Sequence, residues 1–203
     1  MASDAYLIWP GKIGAFSVVM GKMKKHLDTS TLPYSYIIES KGEYSIMPAM
    51  NLTSVGTYRD SKKWQTRDGR KNSDKLDNIC FDSLNPFIIQ QLINAISTLQ
   101  SLKAKSPEAD NYLLHGCKIK GPFVNKAISL YQMMIDIYLG NCLLQNTDTA
   151  TKSSSNWLDI GGLVAPENAI SELLEQVTKG EIYSIKEFNK AVNNIHTNYK
   201  NYE

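Results

Sequence analysis

The chain has 203 residues, a formal net charge of +2 and 42% hydrophobic residues. A chain of this length buries roughly 70% of its extended surface on folding, so it needs no disulfide staples. The three cysteines, Cys80, Cys117 and Cys142, are scattered and form no C-x-x-C pair, which argues against a disulfide framework and a zinc ribbon. The small net charge, without a broad basic stripe, disfavours nucleic acid as a partner.

The hydropathy pattern predicts neither a membrane segment nor a secretory signal. The longest apolar runs, such as residues 130–144, are interrupted by Gln132, Asp136 and Asn141 and fall short of the ~20 apolar residues of a membrane helix. The N-terminus lacks a basic segment followed by a long apolar one. We therefore expect a cytoplasmic protein with reduced thiols and no membrane partner.

Residues 1–84 have the composition of short strands and loops. Runs rich in aromatic and β-branched residues alternate with Pro and Gly breaks, and they predict strands at residues 6–9, 15–20, 34–39 and 44–47. Lys41-Gly42 is typical of a hairpin turn, because Gly tolerates the positive φ that such turns require. Residues 78–81 are predicted to be a further extended piece, and residues 58–65 a short helix.

The segment from residue 54 to residue 75 concentrates positive charge. It carries seven basic and three acidic side chains, a local charge of +4 in a chain whose total is +2. Arginine offers a planar fork that binds phosphate and carboxylate in bidentate fashion, and an indole can stack on a base, a sugar or a guanidinium group. The candidate ligand-binding residues are Arg59, Lys62, Lys63, Trp64, Arg67 and Arg70. The alternative is a solvated face that pairs locally with Asp60, Asp68 and Asp74.

From residue 85 onward the apolar period becomes that of helices, and about four helices are predicted. Asn85 as N-cap and Pro86 at the first helical position begin one, and Gly121-Pro122 begins a longer one that runs to about Gln145. Residues 147–155 are small and polar and predict an exposed loop. A third helix is expected with Pro166 at its first position and Gly180 just beyond its end.

The last helix is predicted to begin at Ser184. Ser184 and Glu187 have the spacing of a capping box, and Tyr183 and Phe188 have that of a hydrophobic staple. The expected buried stripe comprises Ile185, Phe188, Ala191, Val192 and Ile195.

The sequence identifies no catalytic residue, no metal site and no cofactor. Two histidines have neighbours that could indicate catalysis. A general base is conceivable at His26, which lies two residues before Asp28, and a Cys/His pair at His115, which lies two residues before Cys117. Exposed histidines in a loop or strand are the simpler interpretation of both. His196 is expected on the surface of the last helix. Gly161-Gly162 matches no nucleotide-binding motif and predicts a turn.

Four blocks of the chain resemble an uncharacterised bacterial family. They are residues 9–11 (WPG), 28–39 (DTSTLPYSYIIE), 51–68 (NLTSVGTYRDSKKWQTRD) and 157–166 (WLDIGGLVAP). In order and spacing they resemble the C-terminal half of large cytoplasmic proteins whose N-terminal half is a left-handed β-helix of the hexapeptide-repeat, trimeric acyltransferase-like kind. The resemblance implies that the chain lacks the stacked coils that carry a catalytic histidine and an acyl-donor groove in related acyltransferases, so it would be inactive alone.

Residues and resemblance together predict an α+β protein. Residues 1–84 would continue or cap a β-helix, and residues 85–203 would form a helical region packed against them. The leading hypothesis is an accessory domain of an acyltransferase-like or sugar-nucleotide-related protein. Its Arg59–Lys71 segment would bind an anionic ligand, such as a nucleotide sugar or an acyl thioester, or a neighbouring subunit of a homo-oligomer assembled through the β-helix. The alternative is a purely structural module that caps and assembles. Apolar Tyr6, Ile8, Phe16 and Val18 are expected to form an open face.

Overall fold

The computed structural model describes residues 5–69, 71, 80–144 and 156–202. The fold is α+β, as the sequence predicts. The chain divides into two compact units. Unit 1 comprises Met1–Lys63 and Gln91–Tyr138, and unit 2 comprises Trp64–Gln90 and Leu139–Glu203.

Short strands precede and separate the helices. The strands are β1 (Tyr6–Leu7), β2 (Val18–Met20), β3 (Lys22–Met23), β4 (Tyr36–Ser40), β5 (Glu43–Met47), β6 (Asn111–Leu114), β7 (Cys117–Lys120), β8 (Trp157–Ile160) and β9 (Leu163–Pro166). The helices are α1 (Val55–Arg67), α2 (Pro86–Lys105), α3 (Gly121–Leu144), α4 (Glu167–Thr178) and α5 (Ile185–Thr197), with 3-10 turns at Met50–Thr53 and Tyr199–Tyr202.

The N-terminal part of unit 1 consists of two consecutive chain segments that run in the same direction and stack on each other. Tyr6 pairs with Lys22, Lys12 with Asp28 and Val18 with Tyr36. The number of residues between the two partners along the chain, the sequence offset, is the same in the first two pairs and two residues larger in the third. We call the first segment coil 1 (residues 6–20) and the second segment coil 2 (residues 22–38). The three contact points of coil 1 are spaced six residues apart along the chain.

The inner side chains of coil 2 form part of the core of unit 1. Met23, Leu32 and Ile37 are fully buried, and so is the polar Thr29. The Thr29 hydroxyl donates a hydrogen bond to the carbonyl of Lys12 and accepts one from the Gly14 amide. Those bonds satisfy a polar group that would otherwise destabilise the interior, and they join coil 2 to coil 1.

The parallel pattern ends at a tight turn after coil 2. Lys41 and Gly42 both adopt positive φ, and Ser40 faces Glu43 across the turn, so β5 runs antiparallel to β4. The turn predicted at Lys41-Gly42 is therefore confirmed. Beyond β5 the sheet continues through the β6–β7 hairpin, in the order β2-β4-β5-β7-β6.

Helix α3 is held to the loops of unit 1 by Tyr131. The buried Tyr131 hydroxyl donates to the Pro33 carbonyl at 2.7 Å and accepts from the Ala49 amide at 3.1 Å. Burial raises the pKa of Tyr131 well above its usual value, so the phenol stays protonated. One side chain of α3 thus forms hydrogen bonds with two loops that are distant from it in sequence.

Unit 2 is built around the β8–β9 hairpin. Trp157, Val164 and Tyr199 form one apolar cluster, and Leu163, Leu173 and Val192 form a second. His196 Nδ1 lies 3.1 Å from the Val164 amide nitrogen and 3.2 Å from the Val164 carbonyl oxygen, and the ring stacks on Tyr199. His196 therefore connects α5 to the β8–β9 hairpin, whereas the sequence predicted a surface position without such a contact.

Several boundaries within residues 85–203 differ from the predictions. Residues 111–120 and 157–166 form hairpins that were not predicted, although a strand or loop was expected at His115. Short strands such as CKIK carry lysines and resemble loops in sequence. Pro166 is the N-cap of α4, so the helix begins at Glu167, one residue later than predicted. The N-caps Asn85 and Ser184 are confirmed: their side chains accept from the amides of Ile88 and Glu187.

The apolar contacts of α5 also differ in part. Ile185 is 81% exposed and does not belong to the buried stripe, and Tyr183 is exposed to the same extent. Ile182, one residue earlier than the staple position, and Phe188 both pack against the cluster of Leu163, Leu173 and Val192. The predicted loop at residues 147–155 and half of the extended piece at residues 78–81 lie outside the described residues.

Candidate functional site

The basic residues predicted to bind a ligand lie on helix α1. This helix extends from Val55 to Arg67 and includes the whole of the predicted stretch 58–65. Arg59, Lys62, Lys63 and Arg67 are exposed, and their spacing of three, four and eight residues from Arg59 puts them on one helix face. Trp64 is in the same helix, its side chain outside the described set, and Arg70 lies outside the described residues. The convergence of Arg59, Arg67 and Arg70 stays a prediction.

Two exposed histidines of unit 1 are oriented by backbone carbonyls. His115 Nδ1 lies 2.8 Å from the carbonyl oxygen of Asp28, and His26 Nδ1 lies 3.1 Å from that of Pro10. A carbonyl oxygen only accepts, so Nδ1 carries the proton in each ring and Nε2 holds the lone pair of the neutral form. These contacts link the β6–β7 turn and the start of coil 2 to their neighbours, which is a structural task.

Asp28 is the centre of a small polar group on coil 2. Its carboxylate accepts from the Ser30 hydroxyl at 2.6 Å and from the Ser30 amide at 3.2 Å, and Lys12 lies 3.8 Å away. The hydroxyl contact, which favours the charged form, holds the pKa of Asp28 below its usual value. The described contacts of the Asp28 carboxylate are thus with Ser30 and Lys12, while His26 Nδ1 contacts the carbonyl of Pro10.

Two of the three cysteines, Cys80 and Cys117, have raised thiol pKa values. Burial raises the pKa of the Cys117 thiol, and likewise that of Cys80, so both are thiols at neutral pH. Within the described ranges no group of three or more His, Cys, Asp or Glu side chains is placed to hold a metal ion.

A second candidate site lies at the end of coil 1 that faces away from coil 2. A pocket of about 380 Å³ is lined by alternate residues of this single coil: Leu7, Trp9, Gly11, Ile13, Ser17 and Val19. Trp9 is 80% exposed at its rim. The lining is mostly apolar, so water in the pocket has few hydrogen-bonding partners and an apolar occupant would be favoured.

The pocket is lined by the sequence neighbours of the residues that were expected to form an open face. Tyr6, Ile8, Phe16 and Val18 were expected there, and Tyr6 is 55% exposed, whereas the odd-numbered neighbours line the pocket. In an extended chain successive side chains point to opposite sides, so a shift of one residue exchanges the two faces. The run of apolar and small residues at positions 7, 9, 11 and 13 could have identified the inner set.

Helix α3 has an uneven environment. Val124, Ala127, Tyr131 and Ile135 are buried, while Met133 and Ile137 are about half exposed. Helix α3 is long and apolar enough to cross a membrane, by length and composition alone, with a mean hydropathy of 1.2. The interrupted apolar run at residues 130–144 did not predict this. The buried face of α3 is also typical of a core helix.

Two family models match separate parts of the chain. One is described as "Domain of unknown function (DUF4954)" and matches residues 1–103; the other is described as "Domain of unknown function (DUF6819)" and matches residues 141–203. Neither a curated protein nor a solved structure matches the chain.

Proposed function

Because the chain belongs to the family described as Domain of unknown function (DUF4954), whose description names no activity, we propose a function from the geometry: the protein is an accessory module that closes one end of a parallel β-solenoid. The observation that carries the proposal is the parallel stacking of coil 1 on coil 2. The six-residue spacing of the contacts at Tyr6, Lys12 and Val18 equals the repeat of a hexapeptide β-helix. This agrees with the expected acyltransferase-like or sugar-nucleotide-related parent.

The closing element is the antiparallel return of β5. A solenoid coil exposes strand edges that pair with any matching edge, so an uncapped end associates. Here β4 is covered by β5 along its whole length, from Tyr36 opposite Met47 to Ser40 opposite Glu43. Tyr131 then holds α3 on the loops that flank these strands. The far edge of β4 in coil 2 is therefore paired.

Fusion to a regular solenoid tests the capping role. A parallel β-solenoid stripped of its own C-terminal cap should associate end to end, whereas the same solenoid joined in register ahead of Tyr6 should be monodisperse in light scattering. A matched control joins the two with one extra residue, which turns the apolar side chains outward. An in-register fusion that polymerises as fast as the uncapped solenoid would contradict the proposal.

The basic face of α1 supports a second role, in binding an anionic ligand. Arg59, Lys62, Lys63 and Arg67 bring four positive charges to one exposed helix face. Such a face suits a phosphate or carboxylate group, as in a nucleotide sugar or an acyl thioester, or an acidic patch on a neighbouring subunit. The purely structural alternative assigns the same charges to local ion pairs.

Calorimetry separates the two roles of the basic face. Replacing Arg59, Arg67 and Arg70 with Gln should leave the melting temperature nearly unchanged, because exposed ion pairs contribute only ~0.2 to 1 kcal/mol each. The native chain should release heat with one member of a panel of nucleotide sugars and acyl-carrier thioesters, and the triple variant should not. No heat from any ligand, together with a large fall in melting temperature, would leave only the structural role.

A further inference from the structure

Hydrogen bonds fix the backbone of the turn between α4 and α5 at both of its ends. Gly180, with φ 73°, follows the end of α4, and its amide and that of the next residue donate to carbonyls of the last turn of the helix. This is the pattern of a Schellman motif. The Ser184 side chain then caps α5, and the Glu187 carboxylate accepts from the Tyr183 amide. The side chains on this turn therefore project from a well-defined backbone.

The turn exposes two large apolar side chains. Tyr183 and Ile185, on either side of Ser184, are each 81% exposed. Burial of such side chains is favourable, and tyrosine is among the residues that most often anchor a protein interface. We call these two residues and the carboxylates nearest to them the turn surface: Glu175, Glu181, Tyr183, Ile185 and Glu187.

The charge around the turn surface specifies the kind of partner. Residues 167–187 carry five glutamates and two lysines, a net charge of −3 in a chain whose total is +2. All five glutamates are exposed, and Glu175 lies 3.6 Å from Lys179. Because the apolar side chains lie among carboxylates, a partner that covers them must bring positive charge as well as apolar surface.

The basic face of α1 offers both properties. Lysine and arginine cover apolar surface with their methylene groups while their charged ends reach carboxylates. A guanidinium group also stacks on an aromatic ring such as that of Tyr183, and it binds a carboxylate in bidentate fashion. The four basic side chains of this face and the net −3 of residues 167–187 are therefore complementary in charge.

Resting on the proposed anion-binding role of the basic face, we propose that the turn surface binds the basic face of α1 in a second copy of this chain. Each copy carries both surfaces, so a two-fold dimer forms the contact twice. Glutamates of one copy then occupy the basic face of the other, in the role that a phosphate or carboxylate group of a ligand would have. A basic partner other than this chain is the competing occupant.

Charge reversal on each surface separately tests this dimer. One variant carries Arg59→Glu and Lys63→Glu, and the other carries Glu175→Lys and Glu181→Lys. In sedimentation experiments at about 20 mM salt the native chain should dimerise, and its Kd should rise at least about tenfold at about 0.5 M salt, where charges are screened. Each variant alone should be monomeric, because like charges then meet. An equimolar mixture of the two should dimerise, because both contacts again join opposite charges.

Two further variants separate this contact from general effects of charge. Glu43→Lys with Glu108→Lys changes the net charge by the same amount at exposed positions of unit 1, and this variant should dimerise like the native chain. Tyr183→Ala removes the aromatic anchor without a change of charge. It should raise the Kd at least about tenfold and leave the melting temperature unchanged, because the side chain is exposed.

Three results would overturn the proposal. The first is a native chain that stays monomeric at about 100 µM in low salt, a concentration that reveals a micromolar Kd. The second is a dimer that both charge-reversal variants retain, since it would use another surface. The third is a mixture that stays monomeric although both variants have native melting temperatures, which would leave a different basic partner as the occupant of the turn surface.

This proposal and the proposed function fail separately. A monomeric chain that releases heat with a nucleotide sugar would keep the anion-binding role of α1 and exclude the dimer. A fusion that polymerises at about 0.5 M salt, where the dimer contact is screened, would exclude the capping role and leave the dimer standing.

Discussion

At the scale of single residues, Tyr131 has a role that its sequence context does not reveal. Its ring matches the apolar period of α3, but its hydroxyl binds the carbonyl of Pro33 and the amide of Ala49, 98 and 82 residues away. Both partners are backbone groups, which carry no residue-specific signal. The sequence therefore does not reveal these hydrogen bonds.

Tyr131→Phe should destabilise the protein by about 1 to 3 kcal/mol at pH 7, since it leaves buried backbone groups unpaired. Because folding raises the pKa of Tyr131, the stability that this residue contributes is fully present below pH ~10, where the unfolded chain begins to lose the phenol proton. It declines as the pH rises further. The difference between wild type and variant should therefore shrink in urea melts above pH ~10.

Tyr183→Phe is the matched control, because this tyrosine is 81% exposed. It should match the wild type at both pH values. A Tyr131→Phe variant that also matched the wild type at pH 7 would show that the two hydrogen bonds are replaced by water at no cost.

At the scale of elements, local signals were predictable and distant pairings were not. The caps at Asn85 and Ser184 and the Lys41-Gly42 turn depend on neighbours within four residues, and all three are confirmed. The β6–β7 and β8–β9 hairpins were missed. Alternate residues of these strands face outward and are polar, so their sequences resemble loops. The partner of each strand depends on the whole sheet and not on nearby residues. The location of the basic residues of α1 could be predicted from the sequence. The pocket of coil 1 could not, because it depends on how coil 1 stacks on coil 2.

Ser184→Ala should cost about 1 kcal/mol, because the helix α5 loses the acceptor for its Glu187 amide. Chemical denaturation measures the difference. Ser171→Ala is the control, since Ser171 is exposed inside α4, where alanine is the better helix former. Equal losses in both variants would mean that the cap contributes nothing.

Gly14→Ala tests the stacking of the coils. A Cβ atom on Gly14 would lie 2.5 Å from the carbonyl oxygen of Leu32 and 2.8 Å from that of Thr29, so the coils would have to separate. We expect a loss of roughly 1 to 3 kcal/mol in urea melts. Gly140→Ala in α3, where a Cβ meets nothing within 4 Å, should instead gain about 0.5 to 1 kcal/mol. A neutral Gly14→Ala would argue against close stacking.

At the scale of the whole molecule, three helices each contribute to both units. The divisions at residues 63/64, 90/91 and 138/139 fall inside α1, α2 and α3. A helix melts cooperatively, so unfolding of one unit removes turns from helices on which the other unit depends. The two units should therefore unfold together despite their separate cores.

Calorimetry should accordingly give one transition, with equal calorimetric and van't Hoff enthalpies. The Tyr131→Phe change lies in unit 1, yet it should move the entire peak to lower temperature. Two resolved peaks, with only one displaced in the variant, would show that the units melt independently.

The fixed offset between Tyr6 and its partner Lys22 also constrains how such a protein can change in length. Inserting or deleting one residue in coil 1 would move Leu7 and Val19 from the inner to the outer side, whereas gain or loss of a complete coil leaves every remaining pair in register. Evolution at this end should therefore proceed by whole coils. Relatives should differ there by multiples of one coil length, while the segment around Lys41-Gly42 should tolerate neither insertion nor deletion.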